Sequence, residues 1–182
     1  MTEMKIIALD IDDVLCRFTP HVHKYFNKEL EKLDYWCPIV MNGKFGEGWF
    51  LGHIAPDEEF WATVPVLSLP EEIDFEFDYY ISSFPREMYD VRMKWLKENK
   101  FPDKPLICSS NKLETCKELG VNVLVDDKAE TIHHLLKNDI LGIHFINEYA
   151  GFKPVGDFIT NLNQVKYRGR RPRAAARSRP AR

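Results

Sequence analysis

The sequence has 182 residues, of which 45% are hydrophobic, and this suits one globular domain with room for a small insertion. Its apolar runs fall far short of the roughly 20 residues of a membrane-spanning helix, and no secretory signal precedes the first apolar run. The four cysteines show no CxxC pairing, so we expect a cytoplasmic protein without disulfides.

The net charge of −3 conceals two regions of opposite sign. Residues 168–182 contain seven arginines and no acid, which leaves residues 1–167 with a formal charge of −10. We expect this low-complexity tail to be disordered. It would bind nucleic acid through the phosphates, or it is an inert, vector-derived or read-through extension. The abrupt change in composition favours the second interpretation.

The first predicted element is a buried strand over residues 5–10 that leads into the acids Asp10, Asp12 and Asp13. Alternate residues of an extended strand project to the same side, which brings Asp10 and Asp12 close together. Like charges held this close repel each other, and a bound Mg²⁺ is the simplest compensation. Because a structural role gives no reason for three such acids, the pattern favours phosphate or metal chemistry.

The next elements predict an inserted cap. Apolar residues at helical spacing predict a helix over residues 21–33, and an aromatic, glycine-rich segment continues to about residue 62. We therefore predict a small helical cap over residues 18–62, while residues 1–17 and 63–167 form an α/β core.

Strands and helices alternate through the rest of the core. Strands are predicted over residues 77–82, 106–108, 121–125 and 143–146, and helices over residues 86–99, 113–119, 129–138 and 155–165. Continuous apolar strands that alternate with helices predict a parallel sheet covered on both faces, an α/β fold. Ligands bind at the carboxyl ends of such strands, where this chain has Asp10 and Asp12, Ser82 and Ser83, Lys112, and Asp126 and Asp127.

The order and spacing of these residues resemble the haloacid dehalogenase (HAD) superfamily of aspartyl-phosphate phosphohydrolases. Its four motifs are matched in order by Asp10-Ile11-Asp12, Ser82, Lys112 and Asp126-Asp127. The resemblance implies a Rossmann-like core with a parallel central sheet, flanking helices and a cap inserted after the first strand.

More narrowly, the chain is similar to the 5′(3′)-deoxyribonucleotidase family. The similarity rests on Phe18 after Asp-x-Asp-x-Val-Leu, the aromatic cap, Ser82-Ser83-x-Pro, Trp95-Leu96 and the run from Val125 to Lys128. Three positions depart from the family pattern. Asp13 replaces the commoner Gly, Ser82 stands where Thr is frequent, and Lys128 stands where Arg is common.

The resemblance implies a role for each motif residue. Asp10 would attack phosphorus as the nucleophile, and Asp12 would act as general acid and then as general base. Lys112 would neutralise charge on the phosphoryl group. Mg²⁺ would be held by Asp10, the backbone carbonyl of Asp12 and Asp126, with Asp127 supporting the metal.

Other residues are expected around the substrate. Ser82 would bind phosphate, and Ser83 and Lys128 would hold phosphate oxygens or ribose. Phe18 and the tryptophans at 36, 49 and 61 would stack on a nucleobase or form the cap's own core. Arg92 is expected to face solvent rather than the site.

Three functions stay open at this point. The first is a Mg²⁺-dependent 5′-nucleotidase that acts on (deoxy)ribonucleoside monophosphates. The second is a phosphatase for polynucleotide 3′ ends or another small phosphoester. The third is a catalytically weak nucleic-acid-binding protein that uses the arginine-rich tail. The second Asp of the first motif argues against a dehalogenase, because a departing halide needs no proton. No membrane partner is expected, and the oligomeric state stays open, a dimer included.

Overall fold

The computed structural model describes residues 5–32, 52, 54–149 and 154–168. Within these ranges, six strands form one sheet in the order β3-β2-β1-β4-β5-β6, and every neighbouring pair is parallel. The strands are β1 (Ile7–Leu9), β2 (Tyr79–Ser82), β3 (Leu106–Cys108), β4 (Val123–Asp126), β5 (Leu141–Phe145) and β6 (Asp157–Ile159). The predicted parallel α/β sheet is therefore confirmed.

Helices lie in each connection from β1 to β5, as is usual for crossovers between parallel strands. The helices are α1 (Phe18–Lys32), α2 (Glu58–Ala62), α3 (Tyr89–Glu98), α4 (Lys112–Leu119), α5 (Ala129–Leu136) and α6 (Val165–Arg168), with 3₁₀ turns at Pro70–Glu72, Arg86–Met88 and Leu162–Gln164. Gly120 ends α4 with a φ of +68°, the left-handed C-cap that its sequence position indicates. Among the described residues, no helix has both the length and the apolar character needed to cross a membrane.

The side chains of alternate strand residues pack into two hydrophobic clusters, one on each face of the sheet. On the first face, Leu9 and Val125 pack with aromatic side chains of α2 and α3. On the second face, Ala8 and Leu124 pack with residues of α4 and α5. The described parts of the predicted cap, α1 and α2, contribute to the first cluster, whereas residues 33–51 lie outside the description. The division into cap and core stays a prediction.

The prediction of a last helix over residues 155–165 is wrong. Asp157–Ile159 forms the edge strand β6, which pairs with β5, and the short 3₁₀ turn and α6 follow it within the described residues. Apolar residues at 155, 158, 159, 162 and 165 imitate helical spacing. Gly156, with a φ of +64°, interrupts that pattern, and pairing with β5 supplies the backbone hydrogen bonds instead.

The turn after β1 centres on Asp13, whose φ of +59° lies in the left-handed region. Its carboxylate accepts the backbone N–H and the hydroxyl of Thr19, in the first turn of α1, and the O–H of Tyr149 at 2.6 Å. Its backbone carbonyl accepts from Nδ2 of Asn147 at 3.1 Å. Asp13 thus joins α1 and the segment after β5 to the turn, a structural role for the third acid of the run.

Replacing Asp13 with Gly or with Ala separates its hydrogen bonds from its backbone conformation. Asp13→Gly loses the carboxylate but adopts a positive φ freely, and we expect the free energy of unfolding to fall by about 1–3 kcal/mol. Asp13→Ala also strains the backbone and should lose about 1 kcal/mol more. Urea unfolding measures both. The same two substitutions at the exposed Asp139, which has the same φ, are the control for backbone strain alone.

Candidate active site

Two neighbouring strands bring the two halves of the acidic motif together. The chain completes β2 and β3 on one side of β1 before it returns to β4 on the other, so the crevice at the carboxyl ends lies between β1 and β4. The backbone N–H of Asp10 donates to the carbonyl of Val125 at 2.9 Å. This bond sets Asp10 beside Asp126, the last residue of β4.

Lys112 bridges these two carboxylates. Its Nζ lies 2.5 Å from Oδ2 of Asp10 and 2.6 Å from Oδ2 of Asp126, and all three side chains are buried. Lys112 is the first residue of α4, which Asn111 caps by accepting the backbone N–H of Glu114. The N-cap at Asn111 fixes where α4 begins, and the start of the helix places the ammonium group of Lys112 beside the two acids.

A third acid completes a group of carboxylates that can hold a cation. One oxygen each of Asp10, Asp126 and Asp127 lie within 4.8 Å of one another, and we call these three residues the carboxylate cluster. Three hard oxygen donors at the edge of a sheet suit a divalent cation such as Mg²⁺. The structure thus brings Asp127 into the same group as Asp10 and Asp126, whereas the family resemblance implies only a supporting role for it.

Burial and the repulsion of neighbouring charges raise the pKa values of Asp10 and Asp127. Burial raises the pKa of Asp10 to about 6; Lys112 opposes the rise, and the charges of Asp126 and Asp12 add to it. Burial, followed by the charges of Asp10 and Asp126, raises the pKa of Asp127 to about 8. Burial alone would lower the pKa of Lys112, but Asp10 and Asp126 raise it above its usual value. A cation bound at the cluster would displace these protons and relieve the repulsion.

Asp12 has a different cation as its partner. Nη2 of Arg92 lies 2.6 Å from Oδ1 of Asp12, and the Arg92 side chain is completely buried. The expectation that Arg92 faces solvent is therefore wrong. Arg92 precedes Trp95 by three residues and Leu96 by four, so it belongs to the buried stripe of α3. That spacing is the signal in the sequence that could have found it.

Three predicted binding residues lie near the acids. Ser82, at the end of β2, places its Oγ 3.5 Å from Oδ2 of Asp12. Ser83 and Lys128 are exposed and line a cavity of about 590 Å³ together with Lys112 and Asp127. The structure therefore gathers Ser82, Ser83 and Lys128 at the edge of the sheet where the carboxylate cluster lies.

The aromatic residues of the predicted cap differ among themselves. Phe18 is half-buried and stacks on Trp61, with ring centroids 5.6 Å apart. Trp61 is 1% exposed and its indole N–H donates to the carbonyl of Ala55 at 3.1 Å, so it serves packing rather than a base. Trp36 and Trp49 lie outside the described residues.

His144 is a contributor that the sequence did not reveal. This buried residue of β5 accepts the backbone N–H of Val155 at Nδ1, so its Nε2 carries the proton and donates to the carbonyl of Asp127 at 2.9 Å. The imidazole thereby holds the loop that follows β4. A single His inside an apolar strand offers no pattern by which sequence reasoning could find this role.

The chain has the fold of HAD-superfamily hydrolases. It is similar to a HAD-superfamily hydrolase of subfamily IA from Geobacter sulfurreducens, with 12% identity, a TM-score of 0.59, and coverage of 91% of this chain and 99% of that one. It also resembles a β-phosphoglucomutase from Clostridium difficile, with 14% identity, a TM-score of 0.58, and coverage of 92% and 95%.

A conserved haloacid dehalogenase-like protein from Agrobacterium tumefaciens gives 13% identity, a TM-score of 0.57, and coverage of 91% and 97%. No family model and no curated protein matches the sequence. At these identities the likeness shows the fold, and the predicted HAD-like core is confirmed at that level.

Asp127→Asn is expected to stabilise the metal-free protein in a pH-dependent way. The folded protein keeps the Asp127 proton up to about pH 8, whereas the unfolded chain loses it near its ordinary value of 3.8. Unfolding therefore releases a proton between these values, and stability falls as pH rises through this window. Asparagine removes the effect, so the variant should gain on the order of 2 kcal/mol at pH 8 and little at pH 4.

Urea unfolding in EDTA at several pH values measures this difference. Asp157→Asn, at an exposed position of the edge strand β6, is the matched control. A gain for Asp127→Asn that does not change with pH would contradict the assigned cause.

Proposed function

We propose that the protein is a Mg²⁺-dependent phosphomonoester hydrolase that works through an aspartyl-phosphate. One observation carries the proposal: two acids only two residues apart face different cations. Asp10 lies against Lys112 at 2.5 Å, and Asp12 lies against Arg92 at 2.6 Å. Separate environments let two neighbouring carboxylates take separate roles, one as nucleophile and one as proton carrier.

In the first step, a carboxylate oxygen of Asp10 forms a bond to phosphorus as the bond to the leaving oxygen breaks. The proton of Asp12 moves to that oxygen, which departs as an alcohol. Lys112, between Asp10 and Asp126, offers positive charge to the phosphoryl oxygens, and Ser82 offers a hydroxyl hydrogen bond. Each residue stands at the carboxyl end of its strand or at the start of the helix that follows.

In the second step, Asp12 takes a proton from water as the water oxygen bonds to phosphorus. The bond between phosphorus and Asp10 then breaks, which releases phosphate, restores the Asp10 carboxylate and leaves Asp12 protonated for the next cycle. Atoms and charge therefore balance over the two steps without a redox partner.

The carboxylate cluster and the backbone carbonyl of Asp12 are the groups we propose for holding Mg²⁺. When bound, the ion would neutralise negative charge on the acids and on the phosphate. The raised pKa values of Asp10 and Asp127 fit a site in which a bound cation compensates the negative charges of the acids.

Phosphate-ester hydrolysis is favoured over carbon–halogen cleavage by Asp12. Proteins of this fold include dehalogenases as well as a β-phosphoglucomutase. A halide leaves without a proton, whereas an alkoxide does not, so a second acid serves only the ester reaction. A buried arginine dedicated to Asp12 adds to this preference, because an idle acid would not need it.

A nucleoside monophosphate is the substrate we propose. The support is the resemblance of the motif residues to 5′(3′)-deoxyribonucleotidases, with Ser83 and Lys128 at a cavity beside Lys112 and the half-buried Phe18 on the side of the predicted cap. A cytoplasmic location would supply such a substrate. The alternatives are a polynucleotide 3′ end, which the arginine-rich tail of residues 168–182 would help to hold, and nucleic-acid binding without turnover.

Binding of Mg²⁺ should release protons near neutral pH. Asp127, with a pKa of about 8, and part of the Asp10 population, with a pKa of about 6, hold protons that the cation displaces. Titration calorimetry in two buffers of different ionisation enthalpy at pH 7 should show close to one proton released. The number should fall at pH 9 and in Asp127→Asn. An equal heat in both buffers would refute the coupling.

Phosphate release from a panel of substrates tests the function itself. With Mg²⁺, we expect turnover of deoxynucleoside 5′-monophosphates, and a loss of at least about 10³-fold for Asp10→Asn, because no nucleophile replaces the carboxylate. Asp78→Asn is the control; Asp78 lies before β2 and accepts the N–H of Ile7 at 2.8 Å. Activity retained by Asp10→Asn would disprove the nucleophile.

The same panel separates the alternatives. A 3′-phosphorylated oligonucleotide is compared with the nucleotides, using the full chain and a variant whose tail arginines are all glutamine. Faster turnover of the oligonucleotide that depends on the tail would favour the polynucleotide phosphatase. Salt-sensitive binding without turnover of any ester would favour the nucleic-acid-binding protein.

A further inference from the structure

Arg92 occupies a position that the packing of α3 reserves for apolar side chains. The other buried residues of α3 are Trp95 and Leu96, and Arg92 itself is 0% exposed. A guanidinium taken out of water loses its hydration, and it is tolerated only where charge and hydrogen bonds replace that hydration.

Two indole rings and one carboxylate surround the guanidinium. Its central carbon lies 5.3 Å from the ring centroid of Trp61 and 5.5 Å from that of Trp95. Both rings are fixed by their own hydrogen bonds, that of Trp61 to Ala55 and that of Trp95 to the carbonyl of Val64 at 2.8 Å. The guanidinium therefore sits in a rigid aromatic frame that has little freedom to follow a moving partner.

The cation is not used as a general hydrogen-bonding group. Nε and Nη1 of Arg92 are buried and have no acceptor among the residues that the structure describes. Within the described residues, Nη2 is the guanidinium nitrogen with hydrogen-bond partners, 2.6 Å from Oδ1 of Asp12 and 3.8 Å from Sγ of Cys16. A residue selected for stability alone would satisfy more of its donors, so the geometry favours a purpose at Asp12.

The two oxygens of Asp12 have different surroundings. Oδ1 accepts from Arg92 and, at 3.4 Å, from the thiol of Cys16, on the buried side. Oδ2 lies 3.5 Å from Oγ of Ser82, at the carboxyl edge of the sheet. The carboxylate is therefore anchored through one oxygen and presents the other to the edge where Asp10 and Lys112 lie.

We propose that Arg92 is a positioning residue that anchors Oδ1 of Asp12, so that Oδ2 is the oxygen that exchanges the proton with the leaving group and with water. This inference rests on the proposed phosphomonoesterase function. The anchored carboxylate keeps its orientation when the proton leaves, and the fixed guanidinium stabilises the negative charge that remains. Arg92 does not touch the phosphoryl group and acts only through Asp12.

Two phosphate esters distinguish this role from a structural one. The first step is measured under single-turnover conditions, with enzyme in excess and Mg²⁺ present, as release of p-nitrophenol from p-nitrophenyl phosphate and of deoxynucleoside from its 5′-monophosphate. Nitrophenolate leaves without a proton, whereas the sugar oxygen needs the proton of Asp12. Arg92→Met should therefore slow nucleotide cleavage at least about tenfold more than nitrophenyl phosphate cleavage, and Arg92→Lys should restore part of the loss.

Controls separate positioning from loss of stability. Leu96→Ala removes packing from the same helix without touching Asp12, so it should lower the melting temperature and leave the ratio of the two rates unchanged. In an Asp12→Asn background, Arg92→Met should cause no further loss of nucleotide cleavage, because the group through which it acts is gone. The Lys variant and this double variant decide the matter even if Arg92→Met alone folds poorly.

Each outcome has one meaning. Equal losses on the two esters, no loss on either, or a further loss in the Asp12→Asn background would overturn the positioning role and leave the proposed function intact. If the wild-type protein cleaves neither ester with Mg²⁺, the proposed function itself fails, and the inference fails with it.

Discussion

The ion pair that Lys112 makes with both Asp10 and Asp126 is the interaction on which the site depends. Parallel pairing of β1 with β4 forces two acids side by side at the end of the sheet, and both are almost completely buried. Without a cation, their repulsion would favour opening the strand ends. Lys112, in the first turn of α4, offsets this repulsion through contacts of 2.5 and 2.6 Å with the two carboxylates. The position of Lys112 at the start of α4 therefore allows β1 and β4 to end side by side in buried acids.

The two cations come from opposite faces of the sheet. α4 packs in the cluster around Ala8 and Leu124 and supplies Lys112, whereas α3 packs in the cluster around Leu9 and Val125 and supplies Arg92. Asp10 and Asp12 therefore find partners on different layers of the fold although they are two residues apart. The turn at Asp13 makes this arrangement possible, because its positive φ takes the chain out of the extended conformation directly after the two acids. The different cationic partners of Asp10 and Asp12 follow from the doubly covered architecture.

The sequence predicts the parallel sheet and the residues at the strand ends because both depend on local pattern. Apolar runs define the strands, and polar residues directly after them mark the binding edge. What the sequence does not reveal depends on tertiary contacts. Helical spacing from Trp95 places Arg92 in a buried stripe, but the sequence does not show the partners that make a buried charge possible there, which are Asp12, Trp61 and Trp95. β6 exists because β5 offers an edge, and the helical spacing of its apolar residues carries no information about that edge.

Asp13 combines a local requirement, its positive φ, with tertiary hydrogen bonds to Thr19 and Tyr149. A left-handed turn favours Gly, which is the commoner residue here in the family that the chain resembles, and an acid at this position looks like a departure that adds charge to the site. Its carboxylate accepts hydrogen bonds from Thr19 and Tyr149, and its charge also helps to raise the pKa of Asp127. Asp adopts the positive φ less easily than Gly would. In return, the hydrogen bonds of the Asp13 carboxylate join the first helix to the loop after β5. Those two segments flank the turn that carries Asp10 and Asp12, so the third acid of the run supports the other two by fixing the backbone on which they stand.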